Sequence, residues 1–169
     1  QRSWQTDTDE DRWRRGVYVF WRRSTPYPSM TVFDAPSREI CTIRRIRTNT
    51  PLQAFVTLND PVYVEAAQAL ARRLLQQRFS SIEGGTDRLR LRMALEWTLN
   101  RPANPRAVEV LERLLNEQRE VLASDVDDAR ALASEPLGML PNGADPVEYA
   151  AWTVIANVLL NQDSFLTRD

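Results

Sequence analysis

Apolar residues recur at helical spacing along most of the chain after residue 50, and turn-forming residues separate these stretches. The clearest start signal is the tetrapeptide T-P-L-Q at residues 50–53, a capping box with proline at the first helical position. We predict a helix from this box to Asn59, with Leu52, Phe55 and Val56 on its buried face.

Further helices follow the same logic. Asp60-Pro61 opens a second helix that ends before the glycines at positions 84 and 85, and its predicted apolar face contains Val62, Ala66, Ala69, Leu70 and Leu74. Later helices are predicted over residues 87–99, from residue 105 to about 122, over 125–133 and over 146–160. The last helix is the most apolar, so we expect it at the centre of the core, with Val147, Ala151, Val154, Ile155 and Val158 buried.

The first 50 residues are less regular. Residues 1–11 are polar and predicted to be a flexible lead-in. A helix is predicted from Arg12 to Trp21, although GVYVFW at 16–21 would also suit a strand. Prolines make residues 24–37 an ordered extended loop, and Ser37 is expected to cap a short helix that runs through 41–47. The predicted class is therefore all-α: residues 12–169 form a single irregular helical domain of about six helices with a proline- and arginine-rich ordered loop.

Composition excludes several kinds of chemistry. The 169 residues contain no histidine, all 22 basic residues are arginine, and Cys41 is the only cysteine. Histidine-based triads, lysine Schiff bases, Walker-type phosphate loops and histidine-ligated metals are therefore excluded within this chain. We predict no cofactor and no metal. The longest apolar run is too short for a membrane span, and the absence of an initial methionine indicates a fragment of a longer polypeptide.

Charge is unevenly distributed. Residues 11–50 contain nine arginines and three acidic residues, a net +6, whereas residues 51–169 are net acidic. This asymmetry is consistent with a patch for nucleic acid, an acidic glycan or a membrane surface, and more often with docking on an oppositely charged part of the same protein. The block RWRRGVYVFWRR at 12–23 could stack bases or sugars, but helical spacing favours Trp13, Val17 and Phe20 as buried residues.

A second group of polar residues surrounds two carboxylates, Asp34 and Glu39. These are the candidate catalytic residues, with acid/base work as one interpretation. Candidate ligand-binding residues are Arg38, Arg44, Arg45, Arg47 and Asn49. The alternative is a buried network of ion pairs and hydrogen bonds that holds the proline-rich loop, and the surrounding arginines favour it because they lower carboxylate pKa values.

Two other features have structural interpretations. Cys41 lies near arginines, which favour a thiolate, but without a histidine base we expect a buried, inert thiol. The acidic run Asp125, Asp127 and Asp128 resembles the start of a calcium-binding loop, but Arg130 stands where that loop requires glycine. We predict a helix N-terminal cap instead.

Four blocks carry a family resemblance: YVFWRRSTPYPSM at 18–30, the stretch from TVFDAPSREICTIRRIRTNTP to ALARR at 31–73, LNRPANP at 99–105, and AAWTVIANVLLNQDSFLTRD at 150–169. Together, over residues 12–169, they resemble the planctomycete PSD1 or DUF1553 family, a C-terminal domain of unknown function in exported proteins. The resemblance implies an extracytoplasmic, periplasmic or cell-surface module. Its implied partners are other domains of the same polypeptide, often including a c-type haem domain.

These observations give a leading functional hypothesis and two alternatives. The leading hypothesis is a non-catalytic helical interaction or scaffold module that docks through its arginine-rich segment on the rest of its polypeptide. One alternative is part of a carbohydrate-active hydrolytic enzyme, in which Asp34, Arg38 and Glu39 complete a shared site. The other is a module that binds anionic glycan through Arg44, Arg45 and Arg47. Nucleic acid is not a predicted partner.

Overall fold

The computed structural model describes residue 4, residue 11, residues 14–22, 24–44, 46, 48–79 and 85–167. Within these residues all regular secondary structure is helical, which confirms the predicted all-α class. The helices are α1 (Pro28–Val32), α2 (Pro51–Asn59), α3 (Pro61–Leu75), α4 (Thr86–Leu99), α5 (Pro105–Leu122), α6 (Val126–Ser134), α7 (Pro146–Leu160) and α8 (Asp163–Leu166). A 3-10 turn, Gly16–Tyr18, precedes them. No β-strand occurs in the described part of the chain.

The chain divides into two compact units, Gln1–Gln53 and Ala54–Asp169, called here the N-terminal and the C-terminal unit. The boundary falls within α2. Each unit has its own internal contacts and is described separately below. The predictions of a flexible lead-in over 1–11 and of one domain over 12–169 stay predictions.

Three helices of the C-terminal unit, α3, α5 and α7, start by one local rule, an acceptor side chain followed by proline. Asp60, Asn104 and Asp145 each accept a hydrogen bond from the backbone N–H two residues later, at 2.9, 2.9 and 3.0 Å. In each case proline occupies the first helical position, where no N–H is needed. Asp125 caps α6 by accepting from the amides of residues 127 and 128, so the acidic run is a helix cap, as predicted.

Helix α7 lies at the centre of the C-terminal unit. It packs against α3, α4, α5 and α6. Trp152 and Ile155 are fully buried, with Ala151 and Leu159, while Val147, Val154 and Val158 are only partly buried. The main apolar core joins α7 to α3, α4 and α5, and a smaller cluster of Ala129, Ala133 and Ala150 joins α6 to α7. The predicted central position of this helix is confirmed.

The predicted apolar face of α3 is confirmed in part. Leu74 is buried and Ala66 and Leu70 pack against the main core, whereas Ala69 is exposed. The fully buried residues also include Gln68, whose side-chain nitrogen donates to the carbonyls of Leu132 and Glu135, both at 2.6 Å. Its oxygen accepts from the Leu137 amide at 3.0 Å, so this polar side chain is satisfied when buried.

Helix α2 also differs from its predicted orientation. Leu52 and Phe55 are 57% and 64% exposed, whereas Gln53 and Thr57 are buried. The apolar residues of this helix therefore do not form its buried face.

Three predictions for the first 50 residues are wrong. The described part of residues 12–21 contains only the 3-10 turn, and Val17 and Phe20 are 67% and 74% exposed, so no apolar face is buried to support a helix. Residues 24–37 are not uniformly extended, because Pro28 begins α1, a position that proline tolerates. No helix occurs in the described part of 37–47, where Arg38 has a φ of 62°, which a right-handed helix excludes.

Candidate functional site

The start of α2 is a closed capping box. The backbone N–H of Gln53 donates to Thr50 Oγ1 at 3.3 Å, and the backbone N–H of Thr50 donates to the side-chain Oε1 of Gln53 at 3.1 Å. This reciprocal pair satisfies two N–H groups that a helix start otherwise leaves unpaired. The predicted box is confirmed in both its position and its hydrogen bonds.

Gln53 also connects this helix start to the proline-rich segment. Its side-chain nitrogen donates to the Val32 carbonyl at 2.8 Å, to Thr48 Oγ1 at 3.1 Å and to Asp34 Oδ2 at 3.3 Å. The residue is only 5% exposed, and it is the one buried residue among those described in the N-terminal unit. A polar side chain therefore occupies the position that an apolar residue would hold in an ordinary core.

Asp34 closes a loop across residues 35–47. Its Oδ2 accepts from the Thr48 amide at 2.8 Å and from the Thr48 hydroxyl at 2.7 Å. Its backbone φ is 56°, a left-handed conformation that aspartate adopts more readily than most residues. We call residues 35–47 the anchored loop, because Asp34 and Thr48 tie its two ends together. The geometry supports a structural role for Asp34.

Glu39, the other candidate catalytic residue, is exposed on the anchored loop. The hydroxyl of Ser37 accepts from its backbone amide at 3.4 Å. No hydrogen bond or ion pair between described residues links the Glu39 carboxylate to Asp34. The contacts of these residues therefore do not assemble them into a pair of carboxylates.

The candidate ligand-binding residues lie at the surface where the structure describes them. Arg38, Arg44 and Asn49 are exposed, and the Arg38 guanidinium lies 5.3 Å from the centre of the Trp21 ring. Arg45 and Arg47 lie outside the described residues. The anchored loop thus presents arginine side chains to solvent.

Apolar side chains of the anchored loop are exposed as well. Ile40, Ile43 and Ile46 are 76%, 106% and 74% exposed, and they are not among the residues predicted as candidates from the sequence. Their spacing of three residues is the signal by which they could have been found. Cys41, expected to be buried, is exposed instead, because the helix that would have buried it does not form.

Elsewhere in the N-terminal unit, aromatic rings and arginines pack together. Trp4 and Tyr27 meet edge to face with centroids 5.4 Å apart, and the Arg22 guanidinium lies 4.1 Å from the Trp4 ring centre. The indole N–H of Trp4 donates to the Thr25 carbonyl at 3.2 Å. These rings have contacts within the unit, in contrast to Val17, Tyr18 and Phe20, which are all more than 60% exposed.

The C-terminal unit contains an ion-pair network that joins α4, α5 and α7. Arg119 donates from Nη2 to Asp87 at 2.7 Å and from Nε and Nη2 to the two oxygens of Glu148 at 2.7 and 2.6 Å. The Trp152 indole N–H also donates to Glu148, at 2.9 Å. Hydrogen bonds to Glu148 raise the pKa of Arg119. Burial raises the pKa of Glu148, but hydrogen bonds from Arg119 and Trp152 outweigh it and lower that pKa.

This network links α4, α5 and α7 through paired charges. All of its charges are paired, and Arg90 extends it from Asp87 to the carbonyl of Leu74 at the end of α3, at 3.2 Å. Sequence reasoning missed it, because its members lie 29 to 32 residues apart along the chain. Within the described residues no cluster of three or more metal-binding side chains occurs.

A comparison with known families finds one match. A model of the PSD1 family, described as a protein of unknown function (DUF1553), matches residues 1–115. The chain therefore belongs to the PSD1 family. The match includes the anchored loop, α2 and α3, and it ends within α5. No curated protein and no solved structure matches the chain.

None of the described helices combines the length and the apolar character that crossing a bilayer would require.

Proposed function

We propose that this chain is a non-catalytic interaction module whose anchored loop docks on an acidic and partly apolar surface of another domain of the same polypeptide. The observation that carries the proposal is the exposure of Ile40, Ile43 and Ile46 beside exposed arginines. Large apolar side chains grouped at a surface are typical of a protein contact. Burial of one such side chain stabilises a complex by up to about 1.5–3 kcal/mol.

The charge of the segment supports a partner of the opposite sign. Residues 11–50 carry a net +6, and Arg38 and Arg44 stand on the same loop as Ile40 and Ile43. Arginine suits contacts with carboxylates because its planar guanidinium donates two parallel hydrogen bonds. An acidic surface with apolar pockets matches both kinds of side chain.

The hydrogen bonds of Asp34 support the proposal through preorganisation. A loop tied at both ends loses less conformational freedom on binding than a free segment of the same length. Asp34 and Thr48 provide this tie with bonds of 2.7 and 2.8 Å. Their role in the proposal is to present the loop, and the isoleucines and arginines make the contact.

The test compares binding of the chain to the remainder of its polypeptide, measured by calorimetry. We expect the triple substitution of Ile40, Ile43 and Ile46 to Ser to weaken binding at least 100-fold. Replacing Arg38 and Arg44 by Gln should weaken it about tenfold and reduce its dependence on salt, since exposed charges are screened. Val110→Ser, at a position that is 46% exposed on α5, is the control that should not change binding.

Two results would contradict the proposal. One is unchanged binding in the triple isoleucine variant. The other is tight, salt-sensitive binding of the unmodified chain to a sulfated polysaccharide that the arginine variant loses, which would instead identify a glycan-binding module.

A further inference from the structure

A groove of about 480 Å³ opens on the C-terminal unit, away from the anchored loop in sequence. Its walls come from α3, α4, α7 and α8, and its volume lies in the range typical of small-molecule sites. Leu70 and Phe165 contribute apolar surface, and Arg73, Glu96, Trp97 and Asn100 contribute polar and aromatic groups. None of these residues belongs to the arginine-rich segment.

Arg73 is the unusual residue of this groove. Its guanidinium lies 4.7 Å from the centre of the Trp97 ring, a cation–π contact. Arg73 is the arginine among the residues that line the groove, and no ion pair to it occurs in the described part of the chain. Stacking on an indole fixes the guanidinium plane and leaves its N–H groups able to bind an anion.

The remaining groups limit the charge of the ligand. Glu96 would repel an anion, but its carboxylate is paired with Arg92 at 3.1 Å, which offsets its charge. Asn100 ends α4 in a left-handed conformation, with a φ of 50°, and its exposed amide can both donate and accept. One uncompensated positive charge beside an apolar wall suits one negative charge on an apolar body.

The geometry points to a binding site for a carboxylate carried on an apolar group, in which Arg73 pairs with the carboxylate and the apolar group lies against Leu70 and Phe165. Free aromatic or aliphatic acids and the C-terminus of a peptide that ends in an apolar residue share this chemistry. This inference does not depend on the proposed docking function.

The first experiment titrates the 169-residue chain with 3-phenylpropionate and with its neutral amide, followed by two-dimensional NMR. We expect saturable shifts at residues of α3, α4 and α8 for the acid, and at least tenfold weaker binding of the amide. Arg73→Gln should weaken binding of the acid at least tenfold without unfolding the chain. Arg106→Gln, an exposed position on α5, should leave it unchanged.

A second arm separates the two sources of the carboxylate. An acetylated tripeptide that ends in Phe is compared with the same peptide carrying a C-terminal amide. Tighter binding of the peptide acid than of 3-phenylpropionate identifies a peptide C-terminus as the ligand, and the reverse identifies a free acid. Equal binding of acids and amides, no saturable binding of either acid, or an Arg73→Gln variant that is folded and binds normally would each overturn the proposal.

Discussion

The two units of this chain differ in the interactions that stabilise each of them internally. Among the described residues of the N-terminal unit only Gln53 is buried, and its contacts are hydrogen bonds. The C-terminal unit buries Trp152, Ile155, Leu74 and many other apolar side chains in a continuous core. The hydrophobic effect therefore dominates the stability of the second unit, while local polar contacts determine the conformation of the first.

The contrast also separates the places where function is expected. The C-terminal unit packs apolar side chains of α3, α4, α5 and α7 into a common core, although it also exposes Phe55, Val121 and Met139. The N-terminal unit instead leaves Ile40, Ile43 and Ile46 in solvent on a loop tied by Asp34. A segment with little core of its own and a preorganised apolar surface is suited to gain stability from a partner.

The largest loss of stability should come from removing a buried side chain from the core of the C-terminal unit. Trp152 is fully buried, so Trp152→Ala removes its packing and its hydrogen bond to Glu148 and should lower the free energy of unfolding by about 3–5 kcal/mol. Ile43→Ala, at a fully exposed position, should change it by less than about 0.5 kcal/mol. Urea unfolding followed by circular dichroism measures both variants. Similar losses in the two would contradict the difference between the units.

A smaller effect is expected from the ion-pair network. Glu148→Gln removes the charged acceptor of Arg119 and should cost about 1.5–3 kcal/mol at neutral pH, reduced by the partial exposure of the pair. Because folding lowers the pKa of Glu148, its contribution is present above the unfolded-state pKa of about 4.3 and is lost as pH falls through the lower, folded-state pKa.

The pH dependence gives this prediction a specific readout. Unfolding free energies measured between neutral pH and about pH 3 should converge for the wild type and Glu148→Gln at the acid end. Glu109→Gln, at a position whose side chain is 60% exposed, is the matched control and should follow the wild type at each pH. A constant difference between wild type and Glu148→Gln across the range would show that the charge of Glu148 is not responsible.

The smallest effect should be local to the N-terminal unit. Asp34→Asn keeps a residue that tolerates the positive φ but weakens the hydrogen bonds from Thr48, at a cost of about 1 kcal/mol. We expect roughly fivefold faster hydrogen exchange at the Thr48 amide, with unchanged exchange in α7. Glu39→Gln should have no such effect. Unchanged exchange at Thr48 in Asp34→Asn would contradict the structural role of Asp34.

Sequence determined the starts of α2, α3, α5 and α7 and the membership of the PSD1 family. The box at Thr50 and the caps at Asp60, Asn104 and Asp145 are recognisable because each needs only neighbours two or three residues away. The all-helical class follows from the same spacing of apolar residues. These capping hydrogen bonds join residues within one helical turn of each other, so they do not depend on how distant segments pack.

Tertiary structure decided which faces are buried and which polar groups meet. Gln68 is buried because it reaches carbonyls more than 60 residues away, and Arg119 finds Asp87 and Glu148 on two other helices. Asp34 binds Thr48, 14 positions further along the chain, beyond a segment that the sequence pattern predicts to be partly helical. Apolar periodicity does not encode these pairings, because they depend on where distant segments come together once the chain has folded.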